Sequence, residues 1–139
     1  MSADCIFCKI VAGSIPSTKV YEDADTIAFM DINPVVKGHT LVIPKKHCDQ
    51  LMLMPPDLLQ KVILVTQKIA HAHINGLNAI GLNIAQANGK VAGQIVPHVH
   101  FHVIPRFDID EHERRWHPGK YDNIEEMNQF AEKIRKAVH

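Results

Sequence analysis

Neither sign of charge is in surplus: 15 Lys and Arg side chains are offset by 15 Asp and Glu. Without a basic excess the chain offers no electrostatic footprint for nucleic acid, and without a basic run none for an anionic membrane surface. No apolar run approaches the roughly 20 residues that a membrane-spanning helix needs. The opening MSADCIFCKI contains no apolar h-region followed by a small-residue cleavage site, so a cytosolic or nucleocytoplasmic protein is expected. Cysteine is scarce: Cys5, Cys8 and Cys48. In a reducing compartment these are thiols or metal ligands rather than disulfides. Internal repeats and low-complexity stretches are absent. What is abundant is histidine, ten in 139 residues, in a chain that is 46% hydrophobic and long enough for one domain with its own core.

Periodicity and turn signals give the organisation. Residues 5–12 read as a short helix stopped by Gly13. Residues 19–22 and 26–31 read as strands around the polar turn Asp23-Ala24-Asp25, and Asn33-Pro34 breaks the chain. Residues 40–43 form a third apolar strand ended by Pro44. Pro55-Pro56-Asp57 opens a helix in which Leu58, Val62, Val65 and Ile69 recur at helical spacing, with Asn75-Gly76 as its stop. His71 and His73, near that helix end, read as solvated imidazoles in a favourable dipole. Residues 81–87 form a fourth strand, 88–94 a glycine-bearing loop and 97–104 a fifth strand. A polar stretch, 107–122, carries the only tryptophan, Trp116, whose place in the chain suggests reach over a partner's site. Asn123 caps a last helix with Glu126 in capping-box spacing, its apolar stripe being Ile124, Met127, Phe130 and Ile134. Hairpin-like strands outnumber helices, which indicates an α+β domain with a mainly antiparallel sheet.

The segment HVHFHVIPR, residues 98–106, concentrates the chemistry. On a strand His98, His100 and His102 share one face and Val99, Phe101 and Val103 the other. Same-face histidines stand about 6.5–7 Å apart, so a phosphate lying over the strand can touch two. Such a row suits a metal face, or nucleophilic and acid–base chemistry near neutral pH. The preceding Gly89-Lys90-Val91-Ala92-Gly93-Gln94 is either an ordinary turn or a nest of backbone amides for an anion. Cys5-Ile6-Phe7-Cys8 is a C-x-x-C pair able to grip Zn²⁺, with His47 and His98 as candidate third and fourth ligands. The other readings are a redox pair, which usually accompanies a βαβ pattern not seen here, or two ordinary helix cysteines.

His98-Val99-His100-Phe101-His102-Val103-Ile104 resembles the His-Φ-His-Φ-His-Φ-Φ signature of the histidine-triad superfamily, Φ being apolar. Residues 28–34 (AFMDINP), 37–47 (KGHTLVIPKKH) and Ala92-Gly93-Gln94 follow the same family's pattern in order. The chain is most similar to the small histidine-triad nucleotide-binding type with C-x-x-C. The Pro105-Arg106 ending also resembles the fragile-histidine-triad dinucleoside polyphosphate hydrolases. The resemblance implies a five-stranded, mainly antiparallel sheet with a long central helix and a short N-terminal helix. That domain would span residues 1–107, with 108–139 a C-terminal extension whose amphipathic helix packs on the same domain or on a dimer. It implies a homodimer and a purine mononucleotide ligand. Chemically, it implies hydrolysis or transfer at the α-phosphate of purine nucleoside phosphoramidates or related esters through a nucleotidyl-histidine. A dinucleoside polyphosphate hydrolase and a non-catalytic nucleotide-binding adaptor are the alternatives.

Carried over by position, His100 is the nucleophile, its other ring nitrogen donating to a backbone carbonyl. His102 holds phosphoryl oxygens, and His39 completes the cluster and assists proton transfer. Asp31 accepts from the ribose hydroxyls, or merely organises a turn. Ile15, Phe29 and Ile32 form the slot for the base, with plain core the alternative for Phe29 and Ile15. Asn88, Gly93 and Gln94 contribute contacts near the phosphate. The resemblance also supports a structural zinc held by Cys5, Cys8, His47 and His98. Two positions depart from the pattern. Ala87 stands where relatives often carry an amide, and Ile95 where they often carry Ser or Thr, so an altered leaving-group preference is expected.

Overall fold

The computed structural model describes residues 4–108 and 116–139. Its elements are α1 (Ile6–Ala12), β1 (Lys19–Glu22), β2 (Thr26–Met30), β3 (Thr40–Pro44), α2 (Pro56–Leu77), β4 (Gly81–Gln86), β5 (Phe101–Arg106) and α3 (Ile124–Ala137). The five strands pair antiparallel in the order β1-β2-β3-β5-β4. This is the α+β architecture expected: one antiparallel sheet, a long central helix, a short N-terminal helix and a C-terminal helix. Among the described residues no helix is long and apolar enough to cross a membrane.

Both faces of the central strands are covered, which is why β2 and β3 are buried at every position. Ala28, Met30, Val42, Val99, Phe101 and Val103 pack against Val62, Val65 and Ile69 of α2 and Met127, Ala131 and Ile134 of α3. Ile27, Phe29, Leu41 and Ile43 pack on the other face against Phe7 and Ile10 of α1. The helix α1 begins at Cys5, whose Sγ accepts the Cys8 N–H at 3.4 Å, and ends at Gly13 with φ of 80°. At the other end of the chain, the Asn123 side chain accepts from the Glu126 N–H at 2.8 Å. The Glu126 carboxylate in turn accepts from the Asp122 N–H at 2.9 Å.

The structure corrects four local readings. The ladder of β5 starts at Phe101, opposite Gln86, not at residue 97. Upstream of it the His98 ring donates to the Pro44 carbonyl at 2.8 Å, while the Val99 N–H goes to the Cys48 carbonyl at 2.8 Å. Alternation nevertheless continues through this irregular stretch. The helix α2 runs on to Leu77 and is capped by Asn78 in the left-handed region, φ 61°. Gly76 lies within it because α3 crosses there: a Cβ would sit 2.5 Å from the Lys133 carbonyl oxygen.

His73 is fully buried rather than solvated, whereas His71 is exposed. Four residues after Ile69, His73 continues the apolar stripe of α2. Its Nε2–H donates to Thr40 Oγ1 at 3.0 Å, and that hydroxyl donates to the Gly38 carbonyl at 2.8 Å. Ile124 is 67% exposed, and Ala131 replaces it in the buried stripe of α3.

Two expected outcomes test this packing. Gly76→Ala lowers stability by on the order of 1–3 kcal/mol through overpacking against α3; denaturant unfolding measures it, and an unchanged midpoint refutes the close crossing. Burial pushes the His73 pKa down to about 3. The unfolded chain, with a free imidazole near 6.5, therefore binds the proton first as pH falls. The stabilisation is complete above about pH 6.5 and lost progressively toward pH 3. Unfolding melts of His73→Gln between about pH 4 and 6 show a pH slope shallower by roughly one proton than wild type.

Candidate functional site

The site is assembled where β3 and β5 run side by side beneath α1. The chain enters β3 through Gly38, whose φ of 105° and lack of Cβ allow it to sit against Leu77 and Pro105; a Cβ would approach them to 2.8 and 3.0 Å. The Gly38 N–H donates to the Tyr121 hydroxyl at 2.9 Å. Burial pushes the Tyr121 pKa up to about 12, so this hydroxyl stays neutral. This tight entry places His39 inside the protein, 1% exposed.

From His39 the proton positions follow one after another. The Val35 N–H donates to His39 Nδ1 at 3.1 Å, so the ring proton sits on Nε2. That Nε2–H lies 2.9 Å from His102 Nδ1 and 3.6 Å from Asp31 Oδ2. With His102 Nδ1 accepting, its own proton is on Nε2, a donor suited to phosphoryl oxygens. His100 is set independently: its Nδ1–H donates to the His98 carbonyl at 2.7 Å, leaving Nε2 with a free lone pair. Burial is the first cause of every shift in this group. It pushes His39 down to about 3, assisted by His102, and His102 down to about 4, assisted by His100. His100 is also lowered, burial outweighing its bond to the His98 carbonyl. All three rings are neutral at pH 7.

A cavity of about 470 Å³ opens beside His100 and His102. Ala85, Ala87, Ala92, Gly93 and Ile95 wall it, and Gln86 and Trp116 also line it. Trp116 packs edge-on against His102 of the same chain, ring centroids 4.9 Å apart. His100 is buried, yet its ring borders this cavity.

Other residues singled out from sequence fall into two groups. Asp31 is half-buried; one carboxylate oxygen accepts the Asn33 N–H at 2.8 Å and the other faces His39. Burial raises its pKa. Phe29 lies in the core, edge-on to Phe7 at 5.6 Å, with Ile15 packed beside that cluster, whereas Ile32 is 68% exposed. These four sit at the β1–β2 side of the sheet, away from the cavity beside β4. The amides of Asn88 and Gln94 are occupied within the loop. Asn88 accepts from the Leu51 N–H and pairs with Gln86, while Gln94 spans from the Gly89 N–H to the Asp49 carbonyl.

A second constellation lies behind the first. Cys5 Sγ, Cys8 Sγ, His47 Nδ1 and His98 Nδ1 all lie within 4.8 Å of one another. C-x-x-C at the start of α1 places both sulfurs one turn apart on the same face. His98 Nδ1 is 3.4 Å from Cys5 Sγ and 3.6 Å from Cys8 Sγ, and His47 Nδ1 is 3.2 Å from Cys8 Sγ. Each imidazole donates its far N–H outward, His98 to the Pro44 carbonyl and His47 to Asp49 at 2.5 Å. Both Nδ1 lone pairs therefore point inward, because Asp49 and the Pro44 carbonyl hold the ring protons on the far side, as in a closed metal site. Asp49 was not legible from sequence, although an acid two residues after a candidate ligand is a usable cue. Cys48 is buried in the α2-side core, apart from this group.

Asp31, His39 and His102 also converge within 4.8 Å, but the proton arrangement differs. The Val35 N–H holds the His39 proton on the inward nitrogen, so His39 presents a donor there instead of a lone pair. The two clusters thus differ in what stands behind their rings: the first turns four electron pairs inward, while in the second the His39 proton goes to His102 and leaves the His102 Nε2–H as the outward donor.

Known proteins resemble this chain in both sequence and fold. The model of a family described as HIT domain matches residues 12–109. The HIT-like protein MJ0866 of Methanocaldococcus jannaschii is 52% identical over 106 residues, 76% of this chain and 81% of that protein. The adenosine 5'-monophosphoramidase HNT1 of Candida albicans is 37% identical over 140 residues, 98% of this chain and 92% of its own length. A crystal structure of a Zn-bound histidine triad family protein from Mycobacterium smegmatis superposes with a TM-score of 0.86 at 38% identity, covering 96% of this chain and 92% of the other.

Proposed function

Because the chain belongs to the HIT domain family, we propose that it is a nucleotidyl hydrolase or transferase acting at the α-phosphate of purine nucleoside phosphoramidates or related mononucleotide esters. The observation that carries this reading is the 2.7 Å bond from His100 Nδ1 to the His98 carbonyl, which leaves a neutral, bare Nε2 at the edge of a cavity. A nucleophilic imidazole requires that tautomer. The phosphoramidase activity named for the Candida albicans relative supports the substrate class.

His100 Nε2 attacks phosphorus, a P–N bond to the ring forms, and the P–N or P–O bond to the leaving group breaks. Water then cleaves the nucleotidyl-histidine and restores the lone pair on Nε2. Over both steps water supplies the oxygen that stays on phosphorus and the proton that leaves on the amine or alcohol. His102 donates its Nε2–H to the phosphoryl oxygens, and His39 locks His102 in that tautomer. Gly93 offers backbone at the cavity wall. Asp31 accepts from the ribose, and Phe29, Ile15 and Ile32 flank the base. The edge strand β4, with Ile84 half exposed, supplies a surface for the homodimer that the family implies.

Cys5, Cys8, His47 and His98 fit Zn²⁺ by donor type, number and second shell, and we assign them to a structural zinc. The ion would supply a cross-link between the start of α1, the end of β3 and the approach to β5. The Zn-bound relative from Mycobacterium smegmatis supports the choice of metal.

His100→Ala is expected to reduce hydrolysis of an adenosine phosphoramidate by at least about 10³-fold, while a mononucleotide still binds. Rapid quench of wild type followed by mass spectrometry is expected to find a nucleotidyl adduct on His100. An active His100→Ala protein removes the mechanism; binding without turnover in wild type supports the adaptor instead. Elemental analysis is expected to give about one zinc per chain, lost in Cys8→Ser together with a fall in melting temperature. Full retention of zinc in that variant rules out the assigned ligand set.

A further inference from the structure

The turn that leads into β3 sets the His39 ring, and a distant part of the chain holds that turn. Residues 34–38 lie between β2 and β3, and two of them decide what His39 does. The Val35 N–H donates to His39 Nδ1 at 3.1 Å and keeps the ring proton on Nε2. Gly38, buried and at φ 105°, delivers the ring into the interior. The hydrogen bond behind an imidazole selects its tautomer. A displaced turn therefore changes both the place of His39 and the nitrogen that carries its proton.

The inner side of the turn is fixed by Thr40, whose Oγ1 donates to the Gly38 carbonyl at 2.8 Å, with His73 behind it at 3.0 Å. The outer side is gripped by residues 119–126, which lie outside the span matched by the HIT domain family, 12–109. The Gly119 N–H donates to the Pro34 carbonyl at 2.8 Å. Lys37 Nζ lies 2.9 Å from the Glu126 carboxylate and 3.8 Å from that of Asp122. The Gly38 N–H donates to the Tyr121 hydroxyl at 2.9 Å. These grips differ in strength. The Lys37 pairs are partly in water, where an ion pair holds little. The Gly38 residue is buried, and a buried N–H left without an acceptor is costly. The Tyr121 ring is partly buried against the core beside Phe130 of α3, centroids 5.9 Å apart, so its hydroxyl is presented from a fixed base.

We propose that Tyr121 is a positioning residue for the reaction: through the Gly38 N–H it holds the turn 34–38, and so fixes the place and proton of His39 and, through His39, the outward donor of His102. The proposal rests on the reading of His100 as nucleophile and His102 as donor to the phosphoryl oxygens. It goes beyond that reading by adding a residue that touches neither substrate nor reacting atoms.

The test uses the full-length, zinc-loaded protein and compares Tyr121→Phe with Tyr21→Phe. The second variant also removes one tyrosine hydroxyl bond, that from Tyr21 to Asp23 at 2.8 Å in β1 and the turn after it. In Tyr121→Phe, kcat for an adenosine phosphoramidate is expected to fall about tenfold, the effect of a misplaced catalytic group, with KM within about twofold of wild type. Tyr21→Phe keeps both values. Nitrogen NMR of the imidazoles reads the tautomers directly. The His39 and His102 signals are expected to move toward averaged values in Tyr121→Phe, while His100, whose proton is held by the His98 carbonyl, keeps its own. Glu126→Gln, whose amide oxygen still accepts the Asp122 N–H, shifts the same two rings by less, and it decides by these signals if Tyr121→Phe does not fold. Unmoved His39 and His102 signals in the folded variants overturn the positioning role. Equal losses of kcat in Tyr121→Phe and Tyr21→Phe, or a His100 signal that moves with the other two, overturn it as well, since these mark general loosening. Absence of turnover and of any His100 adduct in wild type overturns the functional reading instead, and the ring signals still decide what holds His39.

Discussion

The hydrogen bond from the His100 ring to the carbonyl of His98 is the contact on which the site depends, because one residue serves two centres through different atoms. The His98 ring faces two thiols with a bare Nδ1 and anchors its far side on Pro44. Its carbonyl, meanwhile, holds the proton of His100 away from the cavity. Any disturbance of the Cys5, Cys8 and His47 group is thereby transmitted to the orientation of His100 through a single peptide unit. The His98 carbonyl lies upstream of the β5 ladder, and there it accepts from the His100 ring.

Burial does the remaining electrostatic work. Free imidazoles are partly protonated near neutral pH, and a cluster of three would repel itself and lose its lone pairs. Burial of these rings penalises the charged forms, with His39 pushed to about 3 and His102 to about 4. Neutrality then allows a directed chain of protons, from the Val35 amide through His39 to His102, which ends in a donor pointing outward. The same burial recurs at His73, which supports the turn at Gly38 from behind through Thr40. The C-terminal segment participates as well: Tyr121 accepts from the Gly38 amide, and α3 seals the core behind α2.

Two histidine-containing clusters differ in their proton positions for a reason that composition does not contain. Around Cys5, Cys8, His47 and His98 the outer partners are acceptors, so the inner nitrogens are electron-pair donors. Around Asp31, His39 and His102 the outer partner of His39 is a backbone N–H, so the inner nitrogen carries hydrogen. The first is suited to a cation, whereas the second leaves a single outward donor on His102 Nε2 beside the Asp31 carboxylate.

The sequence by itself determined the element order, the antiparallel α+β class, the alternation of His98, His100 and His102 with Val99, Phe101 and Val103, and the C-x-x-C pair. These depend on local periodicity and on residue types whose chemistry is confined to few roles. The burial of His73, the continuation of α2 through Gly76, the exposure of Ile124 and Ile32, and the late start of β5 were decided only by tertiary structure. Each turns on which surface another element covers, and that is set by contacts between residues far apart in the chain. The proton positions belong to the same category. A histidine looks alike in any sequence, and only the group that the fold places behind its ring decides whether the exposed nitrogen attacks, donates or binds a metal.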